Sequence, residues 1–113
     1  MDCQAARLFK TLGECNRIRI IKLLQVRKCC VCELVGILGL SYATVSAHLK
    51  KMKEVGLLEE EKTSYWTYYA ISPIVSDIVR DILEIVTRVN GDHYDADREA
   101  LIAGNFVCER PAK

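Results

Sequence analysis

No apolar run in this 113-residue chain approaches the ~18 residues that a membrane span requires, so a transmembrane protein is not expected. The opening Met1-Asp2-Cys3-Gln4 offers no basic segment followed by an apolar stretch, so no secretory leader is expected and a reducing cytoplasm is the expected compartment. There is no internal repeat, no low-complexity tract and no linker long enough to separate domains, and the length alone points to one domain over 1–113. Enzyme signals are missing too. The chain has no phosphate-binding glycine loop, no Cys-x-x-Cys beside a βαβ pattern, and no histidine close to its cysteine cluster to serve as a base. These absences argue against a small thiol enzyme.

What is present is an ordinary globular balance: half the residues are hydrophobic and 27% are charged, which excludes a disordered chain. The net charge of +1 hides an asymmetry. Residues 1–53 carry ten Lys/Arg against three Asp/Glu, or +7, and residues 54–113 carry six against twelve, or −6. A basic half suits an anionic partner such as nucleic acid. Six cysteines are many for this length. In a reducing compartment clustered thiols point to metal binding or redox sensing rather than a disulfide scaffold. Three of them sit together as Cys29-Cys30-Val31-Cys32, while Cys3, Cys15 and Cys108 are dispersed and read as small hydrophobes.

Hydrophobic spacing predicts helices over 3–12, over 15–26 with Asn16 as N-cap, over 30–38, and over 42–54 capped by Ser41. Gly39 and Leu40 leave only a short turn between the last two, which is the helix-turn-helix arrangement. From Leu57 to Ile71 the period changes. Tyr65–Ile71, rich in aromatic and β-branched residues, reads as a strand, with Leu57–Glu61 as its partner and Lys62-Thr63-Ser64 as the turn. Pro73 suits the start of a long helix over 74–90, expected to be the longest. Val75, Val79, Ile82, Val86 and Val89 give it one apolar face, and Ile74, Ile78 and Ile85 a second. A helix apolar on two sides must be covered on both, and the second cover is expected to be another subunit. A last short helix is expected over 95–104.

Helix 42–54 divides into a buried face, Val45, Leu49 and Met52, and an opposite stripe of Thr44, Ala47, His48 and Lys51 flanked by Ser46 and Lys50. Small and hydroxyl side chains let such a helix enter a major groove, and lysines farther along meet phosphates. A capped tight turn before it and a hairpin after it favour a winged helix-turn-helix, a mainly α fold with a β-hairpin wing. In that reading the helix-turn-helix covers about 30–55 and the wing about 57–71. The expected DNA contacts are Ser41, Tyr42, Thr44, Ser46, Ala47, His48, Lys50, Lys51 and Lys62. His93 is not expected to serve as a ligand, because the 74–90 helix offers Asp77, Asp81 and Glu84 but no histidine.

The segments Val31-Cys32-Glu33-Leu34, Leu40-Ser41, Thr44-Val45-Ser46-Ala47-His48-Leu49-Lys50 and Gly56-Leu57-Leu58 closely resemble the arsenic-repressor (ArsR/SmtB) family of bacterial metalloregulators. Leu12-Gly13, Arg17-Ile18-Arg19-Ile20 and Trp66-Thr67-Tyr68-Tyr69 extend the likeness to roughly residues 5–90. The resemblance implies a homodimer, with dimerisation helices over about 2–12 and 74–104. It also implies repression at double-stranded operator DNA, relieved when an inducer binds. Two features depart from the family. The wing turn lacks its usual glycine and some of its arginines and follows Glu59-Glu60-Glu61, and Cys15 stands where a proline is common.

The resemblance also locates a sensor. Cys30 and Cys32 lie where arsenic-responsive members carry Cys-Val-Cys ligands, but the usual third cysteine matches Val35. Cys29, Cys30 and Cys32 form one three-sulfur set; Cys3, Cys15 or Cys108 is an alternative third donor, from either subunit. Soft thiolates select thiophilic ions. Three sulfurs without histidine suit As(III) or Sb(III), with Cd(II) or Pb(II) as alternatives given a fourth ligand. Arg27, Lys28 and the helix N-terminus are expected to lower the thiol pKa values. On an intact helix Cys30 and Cys32 point to different sides, so capture is expected to unwind the first turn. A thiol redox or persulfide sensor on the same scaffold is the alternative function.

Overall fold

The computed structural model describes residues 3–104. Its order is α1 (Gln4–Leu12), α2 (Cys15–Val26), β1 (Cys29–Cys30), α3 (Val31–Leu38), α4 (Tyr42–Glu54), β2 (Leu58–Lys62), β3 (Thr67–Ile71), α5 (Asp77–Arg88) and α6 (Asp92–Ala103). No single helix among the described residues is long and apolar enough to cross a membrane.

The helix-turn-helix forms where the spacing places it. Val31, Leu34 and Leu38 of α3 and Val45, Leu49 and Met52 of α4 are buried in one core with Ile20, Ile21, Leu23 and Leu24 of α2. Gly39 ends α3 in the left-handed region, φ 70°, which costs a residue without Cβ little. Ser41 then accepts the Thr44 N–H at 3.1 Å as N-cap of α4. Between the two helices the chain bends by 116°.

Several boundaries differ from the sequence reading. Glu14, not Asn16, caps α2, its carboxylate accepting the Asn16 N–H at 3.0 Å. Tyr65 and Trp66 belong to the wing connection, not to a strand. That connection spans residues 63–66, closed by the Thr63 N–H to the Trp66 carbonyl at 2.8 Å. The helix expected from Ile74 begins at Asp77, because Ser76 accepts the Val79 N–H and caps it there. At 12 residues α5 is one shorter than α4, so it is not the longest helix. The last helix begins three residues earlier than expected, at Asp92.

The sheet has an unexpected third strand. Its order is β1-β3-β2, all antiparallel, with Cys29 opposite Tyr69 and Cys30 opposite Tyr68. The cysteine segment is therefore hydrogen-bonded to the wing. α5 and α6 are pinned to α2. Lys22 and Gln25 donate to main-chain oxygens near the C-terminus of α5, and Arg19 grips the buried Asp97 of α6 through two bonds of 2.8 and 2.9 Å.

Candidate DNA interface and thiol centre

The exposed side of α4 carries Tyr42, Thr44, Ala47, Lys50 and Lys51, with Ser41 exposed at its cap and Ser46 half-buried. Ser41 Oγ donates to Thr44 Oγ1 at 2.8 Å, so the two hydroxyls are mutually oriented. His48 is different. Its side chain is only 14% exposed, because the start of α2 packs over it. Arg17 Nε donates to His48 Nδ1 at 3.0 Å. Glu14 Oε2 lies 3.2 Å from His48 Nε2, but without hydrogen-bond alignment, so this buried oxygen has no hydrogen-bond partner. The groove-facing position read for His48 is thus largely covered.

In the wing, Lys62, Thr63 and Ser64 are exposed. The acids before them are partly neutralised. Glu60 pairs with Lys53 at 3.0 Å and accepts the Tyr69 hydroxyl, and Glu61 pairs with Lys28 at 3.1 Å. The Tyr69 hydroxyl first, and then Lys53, hold the Glu60 carboxyl below the usual carboxylate range. Glu59 stays exposed.

The three clustered cysteines separate into a pair and a core residue. Cys30 is the N-cap of α3 with an extended backbone, φ −82° and ψ 159°, and its Sγ lies 3.1 Å from Cys32 Sγ. The sulfurs meet without unwinding a helical turn. The helix begins one residue later than expected, so the geometry of an intact helix does not apply to Cys30. Cys29 alternates to the other side of β1, as strand geometry requires. It is fully buried, with its Sγ on the Arg27 carbonyl at 3.5 Å. Among the described residues no three His, Cys, Asp or Glu side chains are arranged to hold a metal ion. Cys3, Cys15, Cys29 and Cys30 are free thiols, whereas Cys32 is disulfide-bonded. Cys108 lies outside the described residues.

The expected lowering of thiol pKa is reversed. Burial, and then the Glu33 charge, push the Cys29 thiol up to about 12. Burial also raises Cys30, against the help of a Glu33 backbone hydrogen bond. The two cations are spent elsewhere: Arg27 pairs with Glu33 at 2.6 Å and Lys28 with Glu61. Glu33 in turn accepts the Cys30 N–H at 3.0 Å, closing the start of α3.

Beside Cys30 and Cys32 lies a cavity of about 200 Å³ lined also by Tyr42, Tyr65, Trp66 and Thr67. It joins the thiol pair to the first residue of α4 and to the wing connection. Tyr65 and Trp66 escaped the sequence reading as site residues because an aromatic run reads as strand core. A different apolar surface is left uncovered: Phe9 of α1, Ile78 and Ile85 of α5, Ile74 before it and Ile102 of α6 are between 56% and 88% exposed.

Comparison with known proteins gives the same placement. The profile described as "Bacterial regulatory protein, arsR family" matches residues 15–60. An uncharacterized HTH-type transcriptional regulator of Methanocaldococcus jannaschii is 34% identical over 84 residues, 74% of this chain and 91% of that one. An arsenic resistance transcriptional regulator of Pseudomonas putida is 33% identical over 105 residues, 92% of this chain and 80% of the relative. Among solved structures, HlyU from Vibrio cholerae superposes with a TM-score of 0.65 at 28% identity, over 75% of this chain and 89% of that one. The homodimeric winged helix-turn-helix DNA-binding domain of a possible ArsR-family regulator from Mycobacterium bovis gives 0.64 at 29% identity, over 74% of each chain. A helix-turn-helix with a hairpin wing and relatives of this identity and coverage lead to one assignment: the chain belongs to the arsR family of bacterial transcriptional regulators, winged helix-turn-helix proteins that bind DNA and are not enzymes.

Proposed function

We propose that this regulator is a homodimeric repressor released from its operator by a thiophilic metal or metalloid, As(III) or Sb(III) before Cd(II) or Pb(II). The observation that carries the reading is the 3.1 Å approach of Cys30 and Cys32 sulfurs at the start of α3. Once the Cys32 disulfide is reduced, the pair supplies two soft donors to one ion. Cys29 is the third sulfur only if β1 rotates it out of the core; otherwise a third donor comes from Cys3, Cys15 or Cys108, in either subunit. The arsenic-resistance naming of the Pseudomonas putida relative supports the choice of ion.

Operator contact falls to Ser41, Tyr42, Thr44, Ser46, Ala47, Lys50 and Lys51 of the helix-turn-helix and to Lys62 of the wing, with His48 acting through Arg17. The uncovered surface of α1, α5 and α6 is where a second subunit docks. Release follows from the position of the thiol pair. β1 is laddered to β3, and the cavity beside the sulfurs is walled by Tyr42 and Trp66. Bringing a third donor to an ion held by the Cys30 and Cys32 sulfurs, which already lie 3.1 Å apart, strains β1 and shifts both DNA-contacting elements. A coupling of ~1–3 kcal/mol, roughly 5–150-fold in operator affinity, is typical of such linkage. The test is operator release by arsenite under reducing conditions. The variant Cys30→Ser/Cys32→Ser should bind DNA and stay bound; if arsenite still releases it, the site is elsewhere.

A second reading has its own observation, the disulfide at Cys32 with the Cys30 thiol beside it. Cys30 can lose its proton and attack the Cys32 sulfur. A Cys30–Cys32 bond then forms as the existing one breaks, and the leaving sulfur takes up a proton. A redox regulator would respond to oxidant and be reset by reductant, without stoichiometric arsenic.

A further inference from the structure

A second cleft lies on the other side of α4, where the C-terminal half of that helix meets α1 and the start of α2. It encloses about 290 Å³ and is lined by Arg7, Lys10, Thr11, Arg17, Lys51, Glu54 and Val55. Four cations face one acid. Lys51 belongs to the exposed stripe of α4, so the cleft continues the surface proposed to meet the operator. Arg17 is held in place. Its Nε bonds His48 and its Nη1 bonds the Thr11 carbonyl at 3.1 Å, so the Nη2 donors have no partner among the described residues. Lys10, in the last turn of α1, is exposed and lines the same cleft as Lys51 and Arg17.

We propose that this cleft is a DNA-backbone site, in which Lys10, Arg17 and Lys51 grip phosphate oxygens flanking the groove that α4 enters. The inference rests on the operator-binding reading above and extends the footprint from the helix-turn-helix and wing onto α1 and α2. The chemistry suits phosphate rather than base edges. A pre-oriented guanidinium and two exposed ammonium groups around a concave space neutralise charge without reading sequence. The covered His48 has a place in this reading: its Nδ1 accepts from Arg17 Nε and, with the Thr11 carbonyl, orients the guanidinium. Glu54 is the one acid in the lining.

Salt dependence isolates the claim. Each phosphate contact contributes a slope of about 0.9 to log K against log salt. Lys10→Gln should therefore lower the slope by about 0.9 for each bound protomer. The affinity lost between about 50 and 200 mM salt should shrink about 3.5-fold per contact. The duplex is one selected by the wild-type protein from a random-sequence pool. Its preference over a scrambled duplex should not change, and Lys10→Arg should restore the slope. Arg98→Gln, the same charge change on α6, should leave the slope as it is. An unchanged slope in Lys10→Gln, or an equal fall in Arg98→Gln, overturns the proposal. So does a free-anion site, recognised when inorganic phosphate at constant ionic strength shifts the Thr11 and Arg17 amides saturably while Lys10→Gln leaves the DNA slope untouched. If the wild-type protein selects no duplex at all, the operator reading fails as well, and the two failures are told apart.

Discussion

Cadmium and arsenite should respond differently to pH, because the thiol that must bind them is held protonated. Burial raises the Cys30 pKa above its ordinary value, and the nearby Glu33 charge adds to it. At neutral pH the group is therefore S–H. A Cd(II) ion must expel that proton to solvent, so its apparent affinity rises tenfold per pH unit, about 1.4 kcal/mol, for each thiol proton displaced. For Cys30 alone this is about 100-fold from pH 6 to 8, and about 10⁴-fold if a reduced Cys32 behaves alike. Arsenite arrives as neutral As(OH)₃, and each As–S bond forms as the thiol proton leaves with hydroxide as water. No net proton is released, and its affinity should be flat over the same range. The assay is competitive titration followed by sulfur-to-metal charge-transfer absorbance. A phosphine reductant that is itself a poor ligand for arsenite keeps Cys32 reduced. Cys30→Ser should lower the Cd(II) slope by about one unit. A flat Cd(II) profile would mean that the pair is already thiolate or is not the ligand, and the account of the site would fall.

Other expectations follow from single contacts. Ile78→Glu with Ile85→Glu places charges on side chains already 57% and 56% exposed, so the fold should persist while sedimentation shows monomer and operator affinity drops. Glu33→Gln removes the charge that pairs with Arg27 and should cost about 1 kcal/mol in urea unfolding at neutral pH. Burial opposes the ionised Glu33, but the Arg27 hydrogen bond and the Cys30 N–H outweigh it and hold the carboxyl below its usual range. Its contribution is thus complete above the unfolded-state value of about 4.3 and is lost as pH falls through the folded value, so wild type and variant should converge in acid. Leu49→Ala opens a cavity in α4 where the side chain is fully buried and should cost about 2–5 kcal/mol by thermal or urea unfolding.

The helix-turn-helix was legible because its signals agree. Period, cap and left-handed glycine all place α3, the turn and α4 at nearly the observed residues. The exposed face of α5 was legible for the same reason: the spacing of Ile74, Ile78 and Ile85 set them on a second apolar face, and among the described residues they stay exposed. The thiol centre was legible in composition but not in geometry. A two-residue strand has no period, so nothing in Cys29-Cys30 announces that it pairs with Tyr69 and Tyr68. That pairing moves the helix start by one residue, turns Cys29 inward and brings Cys30 onto Cys32. The fate of the charges was equally hidden. Arg27 and Lys28 stand next to the thiols in sequence, but Glu33, six residues beyond Arg27, and Glu61, on β2, take them.

The same pairings bear on the acidic wing. Three consecutive glutamates before its tip look unfit for DNA, yet two of them are charge partners of Lys53 at the end of α4 and Lys28 beside the thiols. These bridges tie β2 to α4 and to the cysteine segment at once. Such exposed pairs contribute little to stability, at most about 1 kcal/mol each. Their consequence is geometric: they form a chain of contacts from the cysteine segment through β2 to the end of α4. Cys30 is joined to β3 by the ladder, Lys28 beside it to Glu61 of β2, and Glu60 of β2 to Lys53 of α4. In the footprint proposed above, the cations lining the α1–α2–α4 cleft add backbone contacts to that of Lys62 in the wing.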